Sequence, residues 1–503
     1  MISRSLRNTL INREPKFDDI ACSLTATGKQ PKGIIKEAKE VIALARRFND
    51  EVARPLTLKL DRRMYEDPDY LAWDFVREAN KWGFYSLFIP KLFGGKGHSI
   101  SVIGYFIEEL GSVCLALANL VNVHYLGYVG ALATWNMRLA DRISRDVVRG
   151  EKTGEPCLVS FAMTEPDAGT DSQNVEFMNT GSLQCQARKV EGGYVVNGAK
   201  CFISCGHLST WHALFAYTDV KKGAENMVVL AVKNGAKGFS FGKKEKKMGQ
   251  KACPASELVF NECFIPDDQV LLDKRHTARL AKGPRKITEE ILAYIWAASR
   301  TGVGAFGVGA ARGAFEQALQ FASKTKIDDR LLINHEWCQS MLAQMYSNVS
   351  VGRIAYMEAA YANGLYGIYK MLNTKPMYYL TKYTPRFIID LFYPPFLKLS
   401  LATWLFQKIN FDFLADDAMD RTDGWGSLAK AVCTDAGINN CHLALELMGN
   451  AGLRHDHGAE KMLRDSKLLQ IYEGTNQVNR VNVFKRLVAR ACPDAEYFTL
   501  AAN

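Results

Sequence analysis

Glu473 has surroundings in which a carboxylate could work as a base. It follows the largely apolar run at 468–472 and precedes Gly474, so we expect it at a helix end inside a largely apolar pocket. Burial disfavours the charged carboxylate, which raises its pKa and makes it a stronger base. The alternative, a surface glutamate at a helix C-terminus, is disfavoured because a negative charge opposes the helix dipole there.

A second candidate is the loop SFAMTEPDAGTD at 160–171. It offers the hydroxyls of Thr164 and Thr170 and exposed amides around Gly169, and such a loop could wrap the polar edges of a cofactor or a phosphate. It differs from a Walker loop because no lysine follows the glycine. A simple turn between a helical unit and the first strand remains the alternative.

The run GVGAFG at 302–307 matches the GxGxxG dinucleotide pattern. That pattern requires a strand before it and a helix starting at it, whereas here it lies inside a helical stretch. With the flanking glycines and alanines it predicts a small-residue face for close helix approach.

The elements that must position these residues change along the chain. Helical periodicity dominates from about 34 to 157, short alternating runs such as NMVVLAV indicate strands from 158 to 275, and long helical stretches return from 276 to 503. Residues 1–33 are an N-terminal extension. The predicted fold is α+β, with a helical domain, a middle β-barrel-like domain and a C-terminal helical bundle.

Composition narrows the class of protein. With 503 residues, of which 48% are hydrophobic and 23% charged, several globular domains are expected. The net charge is +10, but the densest basic run, KKEKKMGQK at 243–251, lacks interleaved aromatics, so no nucleic-acid partner is predicted. That run is either a solvated loop or a site for a polyanionic ligand.

Twelve cysteines occur without a CxxC pair, and the close pair His455 and His457 lacks further ligands; we predict no metal. The Arg-rich start MISRSLRNTLINR resembles a weak organelle presequence or the basic arm of a bacterial cytoplasmic protein. We favour a bacterial cytoplasmic location, leave membrane association open, and expect the mitochondrial matrix if the source is eukaryotic.

An insertion at about 367–415 is crowded with aromatics and leucines. Its longest near-apolar run is broken by Pro394, Pro395 and Lys398 and is shorter than the roughly 20 residues that span a bilayer. Three interpretations stay open: a peripheral membrane contact through 376–412, a lid over an apolar channel, or packing on a neighbouring subunit.

Five segments together resemble the acyl-CoA dehydrogenase family, in the family's order and over roughly residues 35–490. They are FAMTEPDAGTD, VVNGAKCFISCG, KMGQKACPASELVFNECFIP, RTGVGAFGVGAARGAFEQAL and MLRDSKLLQIYEGTNQVNR. The resemblance implies bound FAD, an acyl-CoA substrate, a trans-2-enoyl-CoA product, an electron-transfer flavoprotein as acceptor, and a homodimer or homotetramer. An oxidase, an enoyl-CoA reductase and a non-catalytic membrane-associated relative are the alternatives.

The resemblance assigns Glu473 as the base that takes the α-proton. Some relatives carry the base just before the arginine of RTGVGAFG, where this chain has Ser299, which cannot act as a base. The backbone N–H of Glu473 and a flavin ribityl hydroxyl would hold the enolate oxygen. The cofactor contacts carried over are Phe161, Met163, Thr164, Gly169, Thr170, Phe202, Ser204, Gly449, Thr475 and Gln477; the substrate contacts are Thr170, Ser299, Arg300 and Gly474.

The chain departs from the family pattern at the residues that would contact the pyrophosphate and adenine of FAD. Thr325, Asp328 and Asp329 fall on the Arg, Phe and Gly of the run that reaches the FAD pyrophosphate of a neighbouring subunit. Lys324, Lys326 and Arg330 are candidates to replace that charge. Glu446 stands in place of a customary Gln, and MGNAG at 448–452 varies the usual Gly-Gly motif.

Overall fold

The computed structural model describes residues 22–413, 416–489 and 494–498. The predicted N-terminal arm and Cys492 lie outside these ranges. Within them, a helical part, a sheet and a second helical part follow one another, which confirms the predicted fold class.

The N-terminal helical part ends where the sheet begins. Helices α2 and α3 run into each other through a π-helical turn at Asn49–Ala53, and α6 is buried on almost every side. The helices are α1 (Cys22–Lys29), α2 (Gly33–Phe48), α3 (Arg54–Glu66), α4 (Trp73–Lys81), α5 (Ile103–Gly111), α6 (Leu115–Leu132) and α7 (Met137–Thr153).

The middle part is a mixed sheet with strand order β6-β7-β3-β2-β4-β5-β8, and β1 pairs with β4 in parallel. Its strands are β1 (Val159–Ala162), β2 (Gln186–Val190), β3 (Gly193–Ser204), β4 (Trp211–Tyr217), β5 (Met227–Lys233), β6 (Phe239–Lys244), β7 (Ala255–Pro266) and β8 (Val270–Leu272). Short helices α8 (Val175–Met178), α9 (Gly223–Asn226) and α10 (Lys274–Thr277) lie along this part of the chain.

Strand β4 is buried along its whole length because both faces of the sheet are covered. Alternate side chains of a strand point to opposite faces. Leu214 and Ala216 therefore join the sheet's own apolar core, whereas Ala213 and Phe215 join the large core that includes the helices. The sheet thus presents one face to the helical parts, and the chemistry-bearing loops lie along that junction.

The C-terminal part is dominated by three long helices. Its elements are α11 (Pro284–Ala322), β9 (Lys326–Ile327), β10 (Arg330–Leu331), α12 (Glu336–Tyr366), α13 (Lys375–Tyr383), α14 (Arg386–Leu397), α15 (Ser400–Gln407), α16 (Asp416–Met448), α17 (Ala459–Lys467) and α18 (Asn476–Val483). Helices α6 and α11 are long and apolar enough to cross a membrane, but 94% of the relevant window of each is buried in the protein.

Helices α11 and α16 approach closely through glycines. A Cβ on Gly307 would lie 2.5 Å from the backbone of Cys433, and one on Gly437 would lie 2.6 Å from the Gly307 carbonyl. The GVGAFG run lies wholly inside α11, so the prediction of a small-residue packing face is confirmed. This contact fixes how α11 and α16 stand beneath the turn that carries Glu473.

The insertion, helices α13 to α15, is anchored to the N-terminal part through the buried Glu37. Its carboxylate accepts hydrogen bonds from the Tyr378 hydroxyl at 2.8 Å, the Lys382 ammonium at 2.6 Å and the Ser99 backbone N–H at 2.7 Å. Lys91 in turn donates to the Lys382 carbonyl at 2.6 Å. These bonds fix which side of the insertion faces inward.

Candidate active site

Glu473 lies in the turn between a 3₁₀ turn at Leu468–Gln470 and helix α18. Both Glu473, with φ of 57°, and Gly474, with φ of 78°, are in the left-handed region, which is costly for a residue with a Cβ. Thr475 then caps α18 by accepting the Val478 N–H at 3.4 Å. The expected helix end is therefore a turn between two helical segments, because contacts from distant helices hold the backbone there.

Those contacts fix the carbonyl groups of the turn. Arg300 Nε donates to the Glu473 carbonyl at 3.2 Å, and Lys430 Nζ donates to the Gly474 carbonyl at 2.7 Å. The Asn479 amide also donates to the Gly474 carbonyl, at 2.9 Å. The C=O and N–H of a trans peptide point in opposite directions, so the N–H groups of Gly474 and Thr475 face away from these donors.

The amides of this turn have no acceptor inside the described part of the chain. None of the backbone N–H groups of Glu473, Gly474 and Thr475 forms a hydrogen bond with another described residue. Unpaired backbone donors next to a cavity are rare unless water or a ligand satisfies them. The turn therefore offers N–H groups that can hold an oxygen of a ligand.

A polar stripe on α16 supports the turn from beneath. Asp423, Ser427, Lys430 and Thr434 are spaced at i, i+4, i+7 and i+11 and are all buried, so they share one helix face. The Arg300 guanidinium bonds Asp423 at 2.7 Å and Ser427 at 3.0 Å. Arg300 is thereby locked in place as a donor to the Glu473 carbonyl.

The Glu473 carboxylate has the electrostatics of a base. Its Oε2 atom is buried without a hydrogen-bond partner. Burial raises the pKa of Glu473 above its ordinary value, whereas the Ser299 hydroxyl and the charges of Arg300 and Lys430 oppose that rise. Burial, with the nearby Arg300 charge, also lowers the pKa of Lys430 to about 7.

Glu473 faces a cavity of about 590 Å³, a size typical of small-molecule sites. Side chains from all three parts of the fold line it, including Asn119, Leu126, Phe161, Met163, Thr164, Thr170, Gln173, Phe202, Ser204, Trp296, Ser299, Val303, Tyr472 and Thr475. Hydroxyl and amide groups alternate with aromatic and aliphatic surface. Such a lining suits a planar ligand with one polar edge.

The loop at 163–170 is anchored by a buried ion pair. Lys200 Nζ bonds Glu165 at 2.7 Å and the Met163 carbonyl at 2.9 Å, and neither charged side chain is exposed. Glu165 also accepts the backbone N–H of Cys185 at 3.0 Å. Glu165 is thus a structural anchor of the loop, while Thr164 and Thr170 line the cavity.

Most of the residues named from the sequence come together around this cavity. Those lining it are Phe161, Met163, Thr164, Gly169, Thr170, Phe202, Ser204, Ser299, Glu473, Gly474 and Thr475. Arg300 is buried behind the turn and contacts its backbone. Gly449 and Gln477 are exposed and do not line the cavity, so their assignment as cofactor contacts stays a prediction.

Part of the basic run at 243–251 lies at the cavity. Glu245, Lys246 and Lys247 line the cavity, and Lys247 Nζ donates to the Cys253 carbonyl at 2.5 Å. Burial lowers the pKa of Lys247. The run is therefore not simply a solvated loop, and Lys246 places a cation where an anionic ligand could meet it.

Sequence reasoning missed the residues that support the turn. Asp423, Ser427 and Lys430 support the turn through contacts with Arg300 and Gly474, which are distant in the chain. Their signal was the spacing of the polar residues at helical intervals along α16. Gln173 was missed as well, although its Oε1 is buried without a partner beside the cavity.

The segment that departs from the family pattern forms a hairpin. Strands β9 and β10 pair antiparallel, with Ile327 opposite Arg330, and Asp328 and Asp329 form the two-residue turn with φ of 49° and 61°. Two successive positive φ values are typical of a type I′ hairpin turn. Exposed Lys324, Lys326 and Arg330 flank this turn, so they remain the candidates for the missing arginine.

The metal prediction has no direct test. Within the described ranges, no three His, Cys, Asp or Glu side chains are grouped to hold an ion. His455 instead lies 3.2 Å from Asp61, which also pairs with Arg464 at 2.8 Å.

A cavity between a sheet and two helical parts, with the buried Oε2 atom of a carboxylate at an amide-rich turn, has the form of an enzyme site that holds a large ligand. Three family models match the chain: acyl-CoA dehydrogenase N-terminal domain at 36–137, middle domain at 160–263, and C-terminal domain at 292–365 and 412–488. The chain belongs to the acyl-CoA dehydrogenase family, whose members are flavin-dependent oxidoreductases. Residues 366–411 lie outside these matches.

Individual relatives align with this chain over about nine tenths of its length. The chain is 28% identical over 454 residues to a probable acyl-CoA dehydrogenase, FadE25, of Mycobacterium leprae, covering 90% of this chain and 96% of the relative. It is 27% identical to the NADH acryloyl-CoA reductase of Anaerotignum propionicum, covering 91% and 96%. The fold matches butyryl-CoA dehydrogenase from Megasphaera elsdenii with a TM-score of 0.68 at 20% identity, covering 90% and 98%.

The residues around the cavity fit FAD, the cofactor of this family. A flavin ring carries carbonyl and N–H groups along one edge and an apolar rim along the other. Thr164, Thr170 and Ser204 supply hydroxyls on the sheet side, while Phe161 and Trp296 supply apolar surface. The partnerless Gln173 Oε1 adds an acceptor.

Proposed function

We propose that the protein converts an acyl-CoA thioester to the trans-2-enoyl-CoA, with Glu473 abstracting the α-proton. The observation that carries this proposal is the Glu473 carboxylate, whose Oε2 atom is buried, has no partner and faces the cavity. FAD, when bound, supplies the acceptor for the hydride that leaves Cβ.

Glu473 performs the proton step. Because burial raises its pKa, the carboxylate is a better match for a weakly acidic C–H than an exposed glutamate. Arg300 and Lys430 limit the rise in the pKa of Glu473, because their positive charges favour the ionised carboxylate that must accept the proton. After transfer the neutral carboxyl is the form that burial prefers.

The turn amides stabilise the charge that develops on the thioester oxygen. The bonds to the Glu473 and Gly474 carbonyls fix the peptide planes that carry the unpaired N–H groups of Gly474 and Thr475, and the unpaired N–H of Glu473 lies next to them. One preorganised donor to a developing oxyanion is typically worth about 3 kcal/mol. Apolar side chains such as Phe161, Trp296 and Val303 exclude water from the same space, which strengthens these interactions.

We further propose that electrons pass to an electron-transfer flavoprotein, as the family resemblance implies. Reduction of an enoyl-CoA is the second candidate, because the relative from Anaerotignum propionicum is named for a reductase and the same carboxyl could return a proton to Cα.

Anaerobic mixing of the FAD-loaded protein with a panel of acyl-CoA esters tests the proposal. Bleaching of the flavin absorbance by at least one ester is the expected result, and no bleaching by any ester would refute dehydrogenation. Bleaching by NADH and recovery with an enoyl-CoA would favour the reductase. Stoichiometric hydrogen peroxide under air would identify an oxidase instead.

A further inference from the structure

The outward side of the insertion is an exposed apolar surface, which we call the apolar face. It consists of Tyr379, Leu380, Tyr383, Phe387, Leu391, Phe392, Phe396, Leu399, Leu401, Leu405 and Phe413. An apolar patch of this kind on a soluble protein usually marks an interaction site.

Helix α14 shows the pattern clearly. Ile389 and Leu397, two turns apart, are buried against the protein. Phe387 and Leu391 lie on the opposite side of the helix, because two residues correspond to about 200° of rotation, and they are 71% and 63% exposed. A surface helix normally has polar residues on its outward side. The apolar residues on the outward side of α14 therefore indicate a binding surface.

The apolar face does not cover the active site. No residue of 367–413 lines the cavity that contains Glu473, which argues against a lid over the acyl channel. The inward side of the insertion is already bound to Glu37 and Lys91. The outward side is therefore left exposed by the described part of the chain.

A cationic groove adjoins the apolar face. It has a volume of about 260 Å³ and is lined by Arg138, Arg279 and Lys398 together with Ser400 and Trp404 of the insertion. The exposed Leu399, Leu401 and Leu405 alternate with these insertion residues along the chain. Positive charge and apolar surface thus meet along one edge.

The acidic residues of this groove are already neutralised. Asp267 pairs with Lys189 at 2.6 Å and with Arg275 at 2.9 Å, and Asp268 pairs with Arg142 at 3.0 Å. By contrast, Arg138, Arg279 and Lys398 are exposed, and the nearest acidic influence on them is the electrostatic interaction of Lys398 with Asp141, which itself pairs with Arg145 at 2.8 Å. The groove therefore presents exposed positive charge to solvent.

We propose that the apolar face binds the surface of an anionic phospholipid bilayer, with a headgroup phosphate held in the groove by Arg138, Arg279 and Lys398. Helices α13, α14 and α15 have 9, 12 and 8 residues, too short to span a bilayer but suited to lie at its interface. Trp404 and the exposed tyrosines belong to the residue types that prefer this depth. A second copy of the chain, with the same net charge of +10, would bring positive charge against this groove rather than an anion, so it is the less favoured occupant.

Flotation of the FAD-loaded full chain tests this. Vesicles of phosphatidylcholine alone are compared with vesicles that also contain phosphatidylglycerol, at low and high salt. We expect binding only to the anionic vesicles and its loss at high salt. Equal binding to both vesicle types, or no binding, would overturn the proposal.

Two variants, each with a matched control, locate the contact. Phe387→Ser with Leu391→Ser is expected to weaken partitioning about tenfold or more, whereas Ile35→Ser, an equally exposed apolar residue elsewhere, leaves it unchanged. Arg138→Glu with Lys398→Glu is expected to weaken it about fivefold per unit of positive charge removed, and exposed Lys152→Glu serves as its control. Unchanged binding in both test variants would overturn the assignment.

Sedimentation of the same variants tests whether a second copy of the chain covers the apolar face instead. We expect the oligomeric state to be unaffected by Phe387→Ser with Leu391→Ser, and a change to smaller particles would show that a second copy covers the face. Flavin bleaching by acyl-CoA in vesicle-free solution should be unaltered in all four variants. Loss of lipid binding can therefore be told apart from failure of the proposed reaction.

Discussion

Replacement of Glu473 by glutamine should make the protein less active and more stable at the same time. The substitution keeps the size of the side chain but removes the charge and the basic oxygen. A positioned general base contributes about a hundredfold to ten-thousandfold in rate, so the flavin bleaching rate with acyl-CoA should fall within that range. FAD binding should persist, because the loss is confined to the proton step.

The stability effect has the opposite sign because of burial. A carboxyl whose pKa is raised in the folded state stabilises the fold below its unfolded pKa, and this contribution is lost as pH rises through the folded pKa. Above this raised pKa the wild-type protein holds an ionised carboxylate whose Oε2 atom has no partner. Removing that charge should raise the free energy of unfolding by about 1–3 kcal/mol.

Thermal unfolding of the FAD-loaded wild type and of the Glu473→Gln variant, at pH 8 and at about pH 4, measures this difference in stability. The gain in Tm should be present at pH 8 and shrink at the lower pH, where the wild-type carboxyl is neutral. Glu66→Gln, at an exposed position, is the control and should change neither rate nor Tm. A Glu473→Gln variant that is less stable at pH 8, or that bleaches within twofold of wild type, would refute the reasoning.

Three further predictions follow from buried charges. Arg300→Met should lower the free energy of unfolding by about 1.5–3 kcal/mol, measured by urea titration, because the buried Asp423 loses the charged hydrogen bond at 2.7 Å and retains Arg486 at 3.1 Å. Lys430→Met should move the acid limb of the rate–pH profile to higher pH, because loss of the cation favours neutral Glu473; an unmoved limb would contradict this. Although burial alone would raise it, neighbouring basic side chains lower the pKa of Asp273 to about 2. Wild type should therefore lose about 2 kcal/mol as pH falls from 4 towards 2, and Asp273→Asn should show no such loss in acid unfolding.

The local order of the fold could be predicted from the sequence alone. Alternating runs such as NMVVLAV became strand β5, and the helical stretch that contains GVGAFG became α11, because period-2 and period-3.6 patterns reflect which side of an element is buried. The candidate base Glu473 and the hydroxyls of Thr164 and Thr170 also stood out, since their types and neighbours carry the signal. These residues lie together around the cavity.

What the sequence could not supply is the geometry that makes Glu473 usable. The bond from Arg300 to the Glu473 carbonyl joins residues 173 positions apart, and the bond from Lys430 to Gly474 crosses from another helix. No local pattern encodes such contacts, because they depend on how α11 and α16 cross at Gly307 and Gly437. Sequence periodicity thus determined the elements and the candidate residues, while tertiary packing alone decided the left-handed turn, its fixed carbonyls and the buried, partnerless carboxylate oxygen.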